Sequence, residues 1–575
     1  MRRELGLDYF LPGLSRIRHY GLDKGRADII AGAVVGVLLV PQAVAYAQLA
    51  GLSAATGLYA SMLPLLVYAF MGARATISIG PVALVSLLVA DTIGGTGGEL
   101  EPAAAAALLS VMVGLILLGA GLLRLGFLVR FVSNPVIKGF TAAAAVLIAL
   151  SQLGSTLGLE LERGELVATV RSLFEQIGET HLPTLAVSAI ALAGFLLGGR
   201  PWASLLRRLA GEGTAYLVLS KAAPLAVIVA IIATFALTDL GSGRDIAMVG
   251  ALDSGLPTLT VPPLDPAAAL GMLPAAFAIA AIVFVVATGI ASSLGGGGAE
   301  RTTPDREAIA LGAANAVSAL SGGYAVGASF SRSALAAGAG AATAFTLGVT
   351  ALLVLLVVLL AGEAFAFLPR GVLGALIISA VWSLIDVRAM VRIWRFSRAE
   401  ALTLFLTTFA VLAGGLQIGI ATGALAGMAL YLYGTSRPRV TVEGRLEGTN
   451  VLRSAVREDV RTADDGWLIV RVDESLYFAN ADHVRRGIAD ALAERAETDR
   501  VLLDLKSVDH VDYTALQTLD TLLDELAERE ISLRLVAVKR HVWEKLERFG
   551  IVERCGGAEG NYATEEEALE ARPET

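Results

Sequence analysis

Two stretches, ISIGPVALVSLLVADTI (77–93) and GASFSRSALAAGAGA (327–341), decide how this chain folds. Both are apolar, and both are too short for a full crossing, which takes roughly 20 apolar residues. The first is interrupted by Gly80-Pro81 and the second is rich in glycine. Each follows a possible opening span by a similar interval: PQAVAY lies about 40 residues before Gly80, and VVATGIASS about 43 before Ser331. Matching breaks in the two halves predict inverted repeats with one broken helix each, the arrangement that places a substrate at mid-membrane in many transporters. The alternative is a pair of re-entrant packing loops made of small residues.

The composition agrees with a membrane protein. Of 575 residues, 55% are hydrophobic and 17% charged, with a mean hydropathy of +0.68, too apolar for a soluble multidomain chain. Fourteen hydrophobic segments centre near residues 38, 64, 87, 114, 144, 190, 228, 280, 314, 336, 351, 378, 407 and 425, within a transport region expected at 28–434. Half-helices are expected near 80–93 and 329–341. With the N-terminal segment (1–27) inside, thirteen loop cations fall inward, among them Arg74, Arg124, Arg301, Arg388, Arg392, Arg395 and Arg398. Only Arg163, Arg171, Arg244 and Arg370 fall outward. That bias and an even span count predict cytoplasmic N- and C-termini in a multi-pass protein of the inner (cytoplasmic) membrane. The start, MRRELGLDYFLPGLSRIRHYGLDKGR, has no signal-peptide pattern and reads as a basic lead-in.

Residues 435–575 carry most of the acidic charge, so the net charge of -8 describes this tail and points to no nucleic acid. WLIVRVDESLYFAN suggests two strands joined by a turn; ADHVRRGIADALAERA, YTALQTLDTLLDELAE and KRHVWEKLERFG suggest helices; RVLLDLKSV and ISLRLVAV suggest strands. The tail is thus a small α/β domain. One cysteine, Cys555, and five scattered histidines give no disulfide and no metal site. No cofactor is expected, and an enzyme is not, because no carboxylate pair or Ser-His dyad sits at a useful spacing. Gly295 to Gly298 reads as a flexible loop, with no Walker lysine after it.

Arg332 is the outlier, because an ionisable group at a helix centre in the bilayer costs about 2.5–3.5 kcal/mol. If a half-helix begins near Ser329 to Ser331, its free N–H groups point where the guanidinium points. Pro81 suits the first turn of a second helix, and two such N-termini plus one arginine, about +2 in all, make a pocket for an anion. Alternatively Arg332 snorkels to a surface or pairs with an acid such as Asp91. Gln42 and Tyr46 lie four apart on one helical face and either line a polar ligand or serve helix packing.

The motifs VPQAVAYAQLAGL (40–52), GLYASMLPLLVYAFMG (57–72), ATISIGPVALVSLL (75–88), RFVSNPVIKGFTAAAAVLIALSQL (130–153), REAIALGAAN (306–315) and SGGYAVGASFSRSA (321–334) resemble the sulfate permease family of anion transporters. The tail is similar to that family's STAS domain, named for sulfate transporters and anti-sigma-factor antagonists. The resemblance implies two inverted seven-segment repeats forming core and gate domains, elevator-like alternating access and a homodimer. It also implies that Gln42, Tyr46 and Val82 line an anion site, that Ser331 beside Ser329 supplies an N–H and hydroxyl, and that Arg332 supplies the field. Many relatives carry a carboxylate in segment eight, where this chain has Val286 or, if the alignment slips by one, Ala287, neither of which ionises. The expected function is therefore secondary transport of a small inorganic anion of the sulfate, bicarbonate or chloride class, by exchange or uncoupled. An anion channel and a nucleobase permease of the same architecture are the alternatives. In the tail, Asp512 is expected to cap a helix, VDYTAL lacks the phosphorylatable serine of anti-sigma antagonists, and a cytoplasmic protein partner is the remaining expectation.

Overall fold

The computed structural model describes residues 10–13 and 20–568 apart from 73–75, 96–99, 128–131, 162–165, 199–203, 205–206, 209–222, 239, 241–243, 252–254, 258, 260, 264, 295–302, 447–451, 456–459, 463–465, 496, 558–560 and 565–566. The glycine loop 295–298 and the inward cations Arg74 and Arg301 thus lie outside the described residues. The chain divides into two compact units, Met1–Gly427 and Met428–Thr575.

The first unit is built from helices α1 (Leu22–Leu49), α2 (Ala54–Tyr59), α3 (Leu63–Met71), α4 (Ala83–Gly94), α5 (Pro102–Leu122), α6 (Asn134–Leu157), α7 (Leu166–Gln176), α8 (Leu182–Leu197), α9 (Ala223–Thr238), α10 (Pro266–Ser293), α11 (Pro304–Leu320), α12 (Phe330–Gly338), α13 (Thr346–Ala361), α14 (Arg370–Val381), α15 (Val387–Phe396) and α16 (Arg398–Thr435). Two short strands, β1 (Ile79–Gly80) and β2 (Gly327–Ala328), precede α4 and α12. Among the described residues seven helical stretches are long and apolar enough to cross a membrane, and α4, α9 and α14 are shorter apolar helices. All fourteen expected centres fall inside helix, the last two in α16, which breaks at Gly415 (φ 84°). Lipid enforces this legibility, since a backbone group left unpaired in hydrocarbon is costly and apolar runs must become helix.

The two halves open alike. Helices α1 and α10 each have 28 residues and one internal proline, Pro41 and Pro274, and each is followed by a two-residue strand leading into a short helix. The strands pair antiparallel, Ile79 with Ala328 and Gly80 with Gly327, as inverted repeats meeting at a common point require. Packing supports the close approach. A Cβ on Gly57 would lie 2.0 Å from the Ala43 carbonyl oxygen, and one on Gly114 would lie 2.8 Å from the Ala316 nitrogen, so these glycines let helices touch backbone to backbone.

In the second unit, β3 (Val440–Leu446), β4 (Leu452–Ser454), β5 (Val460–Thr462), β6 (Trp467–Val472), β7 (Arg500–Asp504), β8 (Ser532–Val536) and β9 (Asn561–Tyr562) form one sheet in the order 4-3-6-7-8-9, with β5 also on β3. Strands β6 to β9 run parallel, and α17 (Ala481–Ala493), α18 (Tyr513–Ala527), α19 (Arg540–Phe549) and α20 (Ile551–Arg554) accompany them. Period-two alternation sends Leu468 and Val470 into the larger core and Trp467 and Ile469 into the smaller one. WLIVRVDESLYFAN corrects one expectation: it holds a single strand, because after Val472 only Leu476 bridges, to Val511. Asp512 caps α18 as expected, accepting from Ala515 N at 2.8 Å, and it also accepts from Phe478 N at 2.8 Å.

Cys555 is buried in the larger core, and burial pushes its thiol up to about 12. A maleimide at pH 8 is expected to leave the native protein unlabelled and to label it after denaturation; rapid native labelling would contradict this packing. Because the folded state prefers the neutral thiol, this contribution to stability holds below the ordinary thiol value near 9 and is lost as pH rises toward 12.

Candidate anion site

The site begins at the crossing of β1 and β2. Gly80 has φ 138°, a conformation side-chain-bearing residues rarely adopt, and a Cβ there would sit 3.4 Å from Arg332 Nη2. The crossing continues beyond the two pairs, since Ser329 N donates to the Ser78 carbonyl at 2.9 Å and Ser78 N donates to Ser333 Oγ at 2.9 Å. Helix α11 holds the extended backbone in place. Asn315 Oδ1 accepts from Val326 N at 2.9 Å, its Nδ2 donates to the Val326 carbonyl at 3.1 Å, and Ser318 Oγ donates to the Tyr324 carbonyl at 2.6 Å. Non-helical backbone at this depth is tolerated because protein groups replace the missing water.

Both short helices then start at one place. Helix α12 is capped by Ser329, whose Oγ accepts from Arg332 N at 3.5 Å. Helix α4 starts at Val82, which makes no side-chain cap bond, so the first-turn N–H groups of α4 receive no side-chain acceptor from their own cap. Pro81 corrects the sequence expectation. It lies one residue before the N-cap rather than in the first helical turn, because Val82 remains extended (φ -138°, ψ 140°). The Pro81 carbonyl is thereby freed for another partner.

That partner is Arg332. Its side chain is wholly buried, with 0% exposure, and Nη1 donates to Gln42 Oε1 at 3.1 Å and to the Pro81 carbonyl at 3.0 Å. Nε and Nη2 have no hydrogen-bond partner, and Arg332 makes no ion pair among the described residues. Neither alternative reading holds: the group does not snorkel, and Asp91 does not pair with it. Two unmatched donors on a buried cation are costly, since charged groups inside proteins are ordinarily paired.

Gln42 and Tyr46 stand one turn apart on α1 and are each 6% exposed; Gln42 binds the guanidinium, and Tyr46 lies within its electrostatic reach. Val82 packs at the crossing, its Cγ2 3.3 Å from where a Cβ on Gly327 would lie. Ser329 is half-buried, and Ser331 is exposed beside it with Oγ atoms 3.2 Å apart. Val286 is partly buried against the core, on α10, which reaches the crossing through Val283. Sequence reasoning missed Tyr324, a buried residue also within electrostatic reach of Arg332, whose hydroxyl is 2.7 Å from Ser86 Oγ. Its signal was an aromatic inside a glycine-rich extended run, GGYAVG.

With the geometry in hand, the comparisons are decisive on family. The model of the sulfate permease family matches residues 26–407, and the STAS domain matches residues 459–568. The chain belongs to the sulfate permease family. The permease is 32% identical over 566 residues to sulfate transporter 4.1, chloroplastic, of Arabidopsis thaliana, covering 96% of the chain and 81% of the relative. It is also 32% identical over 550 residues to a probable sulfate transporter of Mycobacterium tuberculosis, covering 95% of each. Among solved structures, murine Solute Carrier 26 family member A9 shares the fold at a TM-score of 0.85 with 21% identity, over 99% of the permease and 96% of that chain. The transmembrane domain of the cyanobacterial bicarbonate transporter BicA aligns at a TM-score of 0.56 with 19% identity, over 71% of the permease and 98% of that chain. The permease is therefore a mostly helical, multi-pass membrane protein with a C-terminal STAS domain.

Proposed function

We propose that the permease is a secondary transporter of small inorganic anions and not an enzyme, and that the anion binds where α4 and α12 begin. The observation that carries this reading is the buried Arg332 guanidinium, which spends Nη1 on Gln42 and Pro81 and leaves the Nε–Nη2 edge without a partner. That edge is a planar two-donor fork that matches two oxygens of an oxyanion. Gln42, Tyr46, Val82, Ser329 and Ser331 complete the proposed site; the relatives named as sulfate transporters and the structural neighbours titled as anion transporters support anion transport as the function. A divalent oxyanion is expected to bind at least as well as chloride. Sulfate failing to displace a chloride-site probe would count against the fork.

The family likeness supports elevator-type alternating access in a homodimer, in the inner membrane with both termini cytoplasmic, and a cytoplasmic protein partner for the STAS domain. Transport is proposed as exchange or uncoupled, because α10 from Pro266 to Ser293 contains no acid and Val286 cannot ionise. The test is uptake of sulfate, bicarbonate, chloride and nitrate in turn into proteoliposomes. Uptake is expected to persist when proton and sodium gradients are collapsed. Uptake that disappears without an inward gradient of either ion would overturn the uncoupled reading.

A further inference from the structure

Helix α15, VRAMVRIWRF, separates α14 from α16 and contains no acidic residue. Its stripes are sharply divided. Val387, Val391 and Trp394 follow i, i+4, i+7 spacing and are exposed, with Phe396 exposed beyond them; Arg388, Arg392 and Arg395 repeat that spacing one residue on and are exposed too. None of these three arginines makes an ion pair among the described residues. A cationic face of this kind, with only Arg392 within electrostatic reach of the capping Asp386 and exposed aromatics alongside, is not the pattern of a helix packed within protein.

Both ends of α15 are fixed to membrane-crossing helices. At its start Asp386 accepts from Ala389 N at 3.0 Å and from Lys138 Nζ, at the beginning of α6, at 2.9 Å. Toward its end Trp394 meets Phe405 of α16 edge-on, with centroids 5.6 Å apart, and the Arg398 guanidinium lies 4.1 Å over its ring. These contacts hold α15 against α6 and α16, two helices apolar and long enough to cross a membrane, and leave both its apolar stripe and its arginines exposed.

We propose that α15 is an interfacial helix whose Arg388, Arg392 and Arg395 form a binding site for anionic phospholipid headgroups of the adjoining leaflet. Charge complementarity selects the occupant. A basic amphipathic helix lies in the interface with its apolar face in the acyl boundary, and each arginine near an anionic surface contributes a roughly fivefold preference. The site is separate from the Arg332 crossing and does not depend on what the permease transports.

The experiment uses the full-length protein, delipidated in neutral detergent and offered phosphatidylglycerol or phosphatidylcholine, with retained lipid read by native mass spectrometry and stabilisation read by thermal unfolding. The wild type is expected to retain phosphatidylglycerol preferentially, salt is expected to weaken that preference, and R388Q/R392Q/R395Q is expected to bring the two lipids to near parity. Arg392→Glu and Arg392→Lys guard against a triple variant that fails to fold: the first should lower the preference at least about fivefold and the second keep it. An unchanged preference in the triple variant or in Arg392→Glu overturns the proposal. So does a change in oligomeric state without a change in lipid preference, which would assign the stripe to a second copy of the chain.

Discussion

Arg332→Ala is expected to reduce anion uptake into proteoliposomes by about a thousandfold while leaving the fold intact. A full charge about 4 Å from a bound anion is worth about 4 kcal/mol at an effective dielectric of 20, and that is close to three powers of ten in affinity. The helix ends that remain, about half a charge each, do not replace it. Stability should respond far less. Truncation removes one donor from Gln42 Oε1 and from the Pro81 carbonyl, a loss of about 1–3 kcal/mol for each group left unmatched. The same truncation relieves a buried cation of a desolvation penalty of comparable size, and no carboxylate partner is left behind. Arg332→Lys keeps the charge without the planar fork, so it is expected to retain partial uptake and to discriminate less between oxyanions and chloride. Uptake, melting temperature and elution profile should be measured on one preparation of each variant. An alanine variant that folds and transports at the wild-type rate would remove Arg332 from the site.

The sequence exposed the membrane segments and hid their contacts, for separable physical reasons. A crossing helix has to be apolar along most of its length, so α5 or α13 can be located without knowing its neighbours. Gly80 and the glycines before Ser329 announced non-helical backbone, and Arg332 announced itself by cost. What stayed hidden depends on residues more than 200 positions apart, such as Ser86 meeting Tyr324 and Ser110 Oγ donating to the Asn315 carbonyl at 2.9 Å. Pro81 was misplaced because its ring fits either the first helical turn or the extended residue before it, and pairing of the neighbouring Gly80 with Gly327 selects the latter. Helix α15 escaped notice because ten residues with three arginines do not register as apolar. The strands β4, β5 and β9 are two or three residues long, too short for alternation to show.

Asp28→Ala is expected to show the opposite pattern to Arg332→Ala, a large loss of stability that carries uptake down with it. Asp28 sits on α1 with 0% exposure, at the first residue of the expected transport region, where the sequence alone assigned it no role. Its carboxyl accepts from Ala342 N at 2.8 Å, Thr343 N at 2.9 Å, Thr343 Oγ1 at 2.5 Å, Thr346 Oγ1 at 2.9 Å and Tyr20 OH at 3.0 Å. Alanine leaves two backbone amides and two threonine hydroxyls facing a small void, and those amides have no alternative acceptor in the structure. At about 1–3 kcal/mol for each stranded donor, discounted for partial relaxation, the loss is about 3–5 kcal/mol. That corresponds to a melting temperature lower by about three to five degrees for a protein of 575 residues. Asp28→Asn should recover much of it, because its Oδ1 can still accept from Ala342 N, Thr343 N and Thr346 Oγ1 while its NH2 donates to the Thr343 and Tyr20 hydroxyls, which accept as well as donate. Residues 342–346 form the link from α12 into α13, so the same contacts tie the helix bearing Arg332 to the helix bearing Gln42 and Tyr46. Loosening the link should move the guanidinium relative to Gln42 Oε1 and lower uptake even in the fraction that stays folded. Thermal unfolding of the full-length variant checks the first step, and uptake per folded molecule checks the second. An Asp28→Ala protein that melts with the wild type would show that these five bonds contribute nothing net, and the crossing would then be held by the strand pairing and α11 alone.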